Sequence, residues 1–486
     1  VIPLHYVQQA QGDTPEDVLN RQIQQFTQSG AAEHSFGLHY VFEQYYLLQK
    51  PQLNLCALIS LRRVQDRVGI AAAVLEAGDL LLDALPECAN GRAAVEKLAA
   101  EGGAALVNLS APLLLEPVAI PKPWGQEIWY TGIEERGLSR VTGNGGSTPL
   151  PWLLSVAPQR LTRGLERQIT LLKILDPLPE PVFGDLYFEM HEEKQEVYVV
   201  TRIDPEAWPE GQGGIRFGFN AAQRAQYDTD QAFKAAYLAA VQAYERVRRA
   251  IDAQLDKARA AAGVALDAPV AADTLKTWLA DLPAEQLAEE AQKRAAMEAY
   301  TAVKPLALGD VVKVPCFTPH SLQHGVQTVE FQTPVYERQI LAFGQKVLTQ
   351  SHWDTEAALE KVNIDTPAPT PLKLLSSSPG CKVEQVVDFD DFAVHRYTLS
   401  GEADCCLPAI DAYGVLMGVT GTVAVGAKVT NPPQVEPGTV SLAPQSACLL
   451  NPEQSGCLVR NRSTADAVLL LALPKQLPHS SRPGWQ

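Results

Sequence analysis

The sequence has no surplus of positive charge. Lys and Arg number 40 against 56 Asp and Glu, a net charge of −16. That balance argues against nucleic acid and against an anionic membrane surface as partners. A small anionic ligand stays possible, because it needs only a local basic pocket. No apolar run reaches the roughly 18 residues of a membrane span, so no membrane segment is expected. The opening VIPLHYVQQAQGDTPED has none of the features of a secretory signal. It starts at Val1 rather than Met, as expected of a processed or trimmed chain. The eight cysteines form no C-x-x-C pair and are read as reduced, mostly buried thiols of a cytoplasmic protein. At 486 residues, 46% hydrophobic and 20% charged, the chain has the composition of a globular protein of two to four domains.

What is present changes character along the chain. Residues 1–115 are expected to form a helical N-terminal region. Thr14-Pro15-Glu16-Asp17 is a good helix start, and AAVLEAGDLLLDAL and GRAAVEKLAAEGG add helical patterns. His34 and His39 suggest packing or surface roles. From 116 to about 220, short apolar alternations broken by Pro and Gly point to a β-barrel. Residues 221–303 are Ala-rich and charged, and Phe233, Tyr237, Val241, Tyr244, Val247, Ile251 and Leu255 recur every three or four residues. That spacing predicts a long amphipathic helix, the first of a helical insertion. Its Lys and Arg read as a solvated face or, less simply, as phosphate ligands. Strands return over 304–370 and lead through the linker VNIDTPAPTPLK into a second β-rich unit, 371–486. That unit has a solitary His395, read as structural. KQLPHSSRPGWQ reads as a loose tail.

Two stretches carry the chemistry. GDLYFEMHEEKQEVYVV (184–200) and VPCFTPHSLQHGVQTVEFQ (314–332) each read as strand, turn, strand. Glu189 and His191 are two apart, so on a strand they share a face. Glu196 follows a turn of Glu192, Glu193, Lys194 and Gln195. His320 lies in the second stretch, after Pro315 and Pro319. Glu189, His191, Glu196 and His320 on the inner walls of a barrel would supply about four oxygen and nitrogen donors to one divalent metal. Zinc suits such a set first, with manganese, iron, cobalt or nickel as alternatives. The competing reading is a polar interior without metal, whose charges would be poorly paired. Cys316 is either an extra ligand or a packed strand residue, and His324 lies behind the ligands.

These stretches resemble the two metal motifs of the cupin superfamily. The first runs Gly184, four residues, Glu189-x-His191, four residues, Glu196. The second runs Pro315-Cys-Phe-Thr-Pro-His320, then His324. Glu189 stands for the motif's first His, Phe317 for its Gly and His324 for its Asn. Within cupins, the sequence resembles type I mannose-6-phosphate isomerases. IPKPWGQEIW (120–129), ITLLKILDP (169–177), Lys194-Gln-Glu196-Val-Tyr and HSLQHGVQTVEFQ (320–332) match that family's pieces in the family's order, over roughly 120–474. The resemblance implies a mainly β protein with α: two cupin (jelly-roll) β-barrels, the second degenerate, with the helical insertion between the two metal motifs. It implies that His191, Glu196 and His320 hold zinc together with the residue at Glu189, where the family has Gln.

The resemblance also implies an activity, the interconversion of mannose 6-phosphate and fructose 6-phosphate through an enediol. Such a reaction needs a base, an acid and an electrophile for the developing oxyanion. Glu330 matches the family's strand Glu, Lys194 the Lys before the metal Glu, and Arg338 the Arg after that strand. Glu330, with Gln332 on its face, and Arg338 also have plain structural readings. One departure stands out. The family carries some twenty residues between the His and the Lys-x-Glu strand, and this chain has four, Glu192–Gln195. Open alternatives are a metal-binding cupin that binds a small molecule without turnover, and a cupin acting on another sugar or as an oxygenase or epimerase.

Overall fold

The structure is a computed structural model that describes residues 5–8, 12–64, 67–78, 91–143, 145–426 and 438–475. The tail after Lys475, Cys88 and the second half of AAVLEAGDLLLDAL lie outside the described residues. The chain divides into two compact units. One comprises 1–118, 129–172 and 372–486, the other 119–128 and 173–371.

In the first unit the expected helical N-terminal region is a correction: it is built on a five-stranded sheet. Glu33–Glu43, Gln52–Val64 and Arg67–Glu76 form a continuous antiparallel ladder, flanked by the short strands His5–Gln8 and Val107–Asn108. The physical reason is a period of two. Phe36, Leu38, Tyr40 and Phe42 alternate along one strand and are all buried. Ala71–Ala73 have good helix propensity, but they lie in a strand, and the small Ala73 lets helix Gly91–Glu101 pack closely. Val95, Leu98 and Ala99 meet Cys56, Leu58, Ala73 and Leu75 in one core. His34 and His39 lie on the strand Glu33–Glu43. Two helix signals do give helices. Pro15–Ser29 starts with a full capping box, Thr14 and Asp17 satisfying each other's backbone N–H, and GRAAVEKLAAE is the other.

The rest of this unit is a nine-stranded and a four-stranded sheet. Leu113–Glu116 pairs with Ala447–Leu450, so strands near 113–149 and strands of 373–474 share one sheet. Leu416, Leu469 and Leu471 from the large sheet and Val423, Val425 and Val459 from the small one form the core between them. His395 lies in the strand Phe392–Leu399.

The second unit is also two sheets. The six-stranded sheet runs Val311–Val314, Glu196–Ile203, Val326–Gln332, Leu171–Pro177, Gly125–Trp129, Val118–Lys122. The five-stranded sheet runs Thr301–Leu306, Gly213–Phe219, His320–Leu322, Phe188–Met190, Gln339–Ala342. Alternation puts Tyr198 and Val200 of the first against Ile215, Phe217 and Leu322 of the second. Neither sheet closes on itself, so the observed architecture is mainly β with helices, built of facing open sheets where closed barrels were expected.

The helical insertion is present. Asp230–Ala261 is a 32-residue helix capped by Thr229, and Ala272–Ala280 and Ala284–Glu298 follow. Phe233, Tyr237, Val241, Tyr244 and Ile251 are fully buried along its apolar stripe. Phe219 pairs with Thr301, so the chain leaves and re-enters the sheet at adjacent positions.

Candidate metal centre

Glu189 and His320 are 131 positions apart and sit directly opposite each other, on adjacent antiparallel strands. Glu196 comes from the other sheet, opposite Gln332. His191 follows immediately after the strand Phe188–Met190. Two backbone features bring these pieces close. A Cβ on Gly184 would lie 1.9 Å from the Leu178 carbonyl oxygen, so only Gly fits there. Phe317 has φ 63°, a left-handed turn residue, and its N–H donates to the His191 carbonyl at 2.7 Å. The chain thus keeps the turn with a residue that strains to make it.

The donors converge. Ligand atoms of Glu189, His191 and His320 all lie within 4.8 Å of one another. Glu196 joins them: its Oε1 is 3.4 Å from His191 Nε2 and its Oε2 is 3.0 Å from His320 Nε2. Glu189 Oε1 is 3.8 Å from His191 Nε2. His191, Glu196 and His320 are at most 2% exposed.

The hydrogen bonds behind the rings set their tautomers. His191 Nδ1 is 2.9 Å from the Glu337 carbonyl and His320 Nδ1 is 3.0 Å from the Thr318 carbonyl. A carbonyl only accepts, so each Nδ1 carries the proton. The His191 Nε2 then presents a lone pair toward carboxylate oxygens, while His320 Nε2 lies within hydrogen-bond distance of Glu196 Oε2. Burial, with the nearby Lys194 charge, holds the His191 pKa well below its usual value, which keeps that ring neutral. Its buried Nε2, like Glu189 Oε2, has no hydrogen-bond partner. An unpartnered imidazole nitrogen and an unpartnered carboxylate oxygen, buried side by side, are what a cation resolves, and the O and N donors fit a divalent metal.

Around these donors lies a layer of buried charge. Lys194 Nζ is 2.7 Å from Glu196 Oε1, and the Tyr198 hydroxyl donates to Glu196 Oε2 at 2.7 Å. Burial works to raise the Glu196 pKa, yet the Lys194 ammonium helps hold it well below the usual carboxylate range. Glu330, opposite Tyr198 on the neighbouring strand, is 1% exposed and neither oxygen has a hydrogen bond. Burial and the charge on Glu196 push its pKa well up. Lys173 Nζ lies 3.3 Å from Glu330 and 3.8 Å from Glu127, and Lys122 lies 3.2 Å from Glu127. Arg338 Nη1 is 3.9 Å from Glu189 Oε2; its guanidinium covers the Tyr187 ring and donates to Thr349 Oγ1 at 2.6 Å.

Two residues singled out earlier point elsewhere. The half-buried Cys316 thiol aims at the Lys194 carbonyl at 3.8 Å. His324 binds Asp185 at 2.7 Å and stacks on Trp208, outside the donor cluster. Sequence reasoning missed Lys173, Lys122, Glu127, Tyr198 and Glu337. For Lys173 a signal existed: one Lys in the otherwise apolar run LLKIL. Glu337 carried none, because its part in the centre is a backbone carbonyl on His191 and a carboxylate on the Glu192 N–H.

Fold and site together define a β protein of facing sheets with a buried imidazole–carboxylate centre able to hold a metal. Comparison with solved structures finds the same fold in mannose-6-phosphate isomerases. The enzyme from Bacillus subtilis superposes with a TM-score of 0.51 at 14% identity, over 74% of this chain and 99% of that one. A variant of phosphomannose isomerase from Salmonella typhimurium gives 0.47 at 13% identity, over 75% and 100%. A mannose 6-phosphate isomerase bound with zinc and yttrium gives 0.47 at 13% identity, over 75% and 100%. At these identities the likeness establishes the fold alone, and of the three only the first exceeds a TM-score of 0.5. No protein-family model and no curated protein matches the sequence. Among the described residues, no helix is long and apolar enough to cross a membrane.

Proposed function

We propose that the protein is a metal-dependent aldose–ketose isomerase acting on a phosphorylated sugar, with mannose 6-phosphate and fructose 6-phosphate the first pair to try. The observation that carries this reading is the juxtaposition of two environments. Glu189, His191, Glu196 and His320 present converging acceptors, and Lys194, Lys173 and Arg338 stand beside them. An anionic, polyhydroxylated ligand matches both. On this reading the facing sheets are opened jelly rolls of the cupin type, a metal-binding one interrupted by the insertion and a degenerate one near the C-terminus. The donor set favours zinc.

The residues then divide the work. His191, Glu196, His320 and Glu189 hold the metal, which when bound polarises substrate oxygens. A carboxylate removes the proton from C2 of the aldose. Glu330 is assigned this role, because neither oxygen is tied up in a hydrogen bond, burial raises its basicity and Lys173 at 3.3 Å favours its charged form. The C2–H electron pair forms the C1–C2 double bond, and the carbonyl electrons move onto O1. Arg338 and Lys194 stabilise the enediolate charge. Return of the proton to C1, with transfer of the O2 proton to O1, turns C2–O2 into the carbonyl and gives the ketose.

A proton held on a side chain trades with solvent. In deuterium oxide the metal-replete protein should therefore label the carbon next to the carbonyl during turnover. A panel of hexose and pentose phosphates and free sugars showing neither turnover nor label would sink the isomerase reading in favour of a metal-binding protein without turnover.

A further inference from the structure

The helical insertion encloses a cavity of about 190 Å³. Its wall is mainly apolar, with Ile251, Leu255, Leu275, Leu279 and Leu287 from the helices and Phe183 from the loop before Gly184. Four cations also line it, and three are matched. Arg248 pairs with Asp252 at 2.9 Å, Arg294 with Glu290 at 3.3 Å and Lys346 with Asp256 at 2.6 Å. Arg259 is different. It is 3% exposed and has no carboxylate within ion-pair distance among the described residues. Its Nη1 donates to the carbonyls of Ala265 and Ala268, and its buried Nε has no partner.

A buried charge is costly unless a counter-charge meets it. Asp256 and Asp252 also act on Arg259 at longer range, but with Glu290 they are already paired, so four cations share three carboxylates beside an apolar pocket. We propose that this cavity is a binding site for a small monoanion with an apolar body, of the size of a monocyclic aromatic carboxylate. The volume agrees: an apolar cavity of about 150 Å³ takes a benzene ring, and the extra space admits a carboxylate. The charge agrees: a guanidinium with a free N–H is a natural partner for a carboxylate. The site shares no lining residue with the metal donors, so it stands apart from the isomerase reading.

The test uses the full chain and 4-fluorobenzoate, followed by fluorine NMR and calorimetry, with benzyl alcohol as the neutral probe. One benzoate per chain should bind, at least ~10-fold tighter than the alcohol, because a hydrogen bond to a charged group is worth at least that factor. Arg259→Met should bring the two probes within about 2-fold. Leu279→Trp, a partly buried position, should fill the space and remove binding of both while Arg259 stays in place. The proposal is overturned if benzoate does not bind at about 10 mM, if the alcohol binds as well as the anion in the wild type, or if Leu279→Trp leaves benzoate binding unchanged.

Discussion

Replacing His191 by Ala should cost most of the metal affinity with little harm to the fold. The ring is 1% exposed, its Nδ1–H is anchored on the Glu337 carbonyl, and its Nε2 has no protein partner. The bond it contributes to folding is the single one to Glu337; the rest of its design faces the cation. Apparent binding free energies of four-donor zinc sites run about 10–16 kcal/mol, so one donor accounts for roughly 2.5–4 kcal/mol. The expected loss is about 10²–10³-fold in affinity. His320→Ala should lose a similar amount, since its Nδ1 is anchored in the same way on Thr318. His324→Ala is the control, because that ring is held by Asp185 and Trp208 outside the donor cluster. It should stay within a few-fold of wild type. The assay is titration of chelator-stripped protein with zinc against a competing indicator, with circular dichroism to confirm that each variant is folded. Equal affinities for wild type, His191→Ala and His320→Ala would refute the assignment. So would a His324→Ala loss as large as theirs.

Three further outcomes are expected. Arg338→Ala should lower kcat by about 10²–10³-fold, the range for removing one charge-stabilising donor, with metal content unchanged by elemental analysis. Glu189→Gln keeps the oxygen donor but removes one charge, so manganese affinity should fall by more than zinc affinity, by about 10-fold in ratio, read by competition titration. Metal-free protein should lose stability as pH falls from 6.5. Burial holds the folded His191 pKa well below its ordinary value, so between the folded and unfolded pKa the unfolded chain binds the extra proton. The slope from this residue approaches about 1.4 kcal/mol per pH unit and should vanish in His191→Ala when melting temperature is followed against pH.

The insertion and both donor stretches were legible because their signals are local. Helical spacing from Phe233 to Leu255 is visible within one window, and Glu189-x-His191 shares a strand face by period alone. The N-terminal sheet was not legible in the same way. Ala71–Ala73 have helix propensity, and only the helix Gly91–Glu101, packed against Ala73, explains why a small residue sits there in a strand. The charge layer behind the donors was hidden for another reason. Lys122, Glu127, Lys173 and Glu330 come from four strands of one sheet, so each appears in sequence as a solitary charge. Their pairing exists only once the strands are in register. The short connection between His191 and Glu196 was legible as the four-residue turn Glu192–Gln195. What the turn does instead was not: Glu337 accepts the N–H of Glu192 at 3.0 Å and ties it down.

The pairing of Phe219 with Thr301 makes the whole helical insertion, topologically, the loop of one β-hairpin. Everything from 220 to 300 is therefore a replaceable cassette with two adjacent splice points. Loop closure adds only about 0.6 kcal/mol per doubling of length, so swapping this segment for a five-residue turn changes closure by about 2.4 kcal/mol. The larger debt is the apolar surface the cassette covers, where Phe188, Phe219, Leu341 and Leu359 meet its long helix. A transplant that respects those four positions could exchange the insertion between scaffolds while leaving every donor atom on the sheets where it stands.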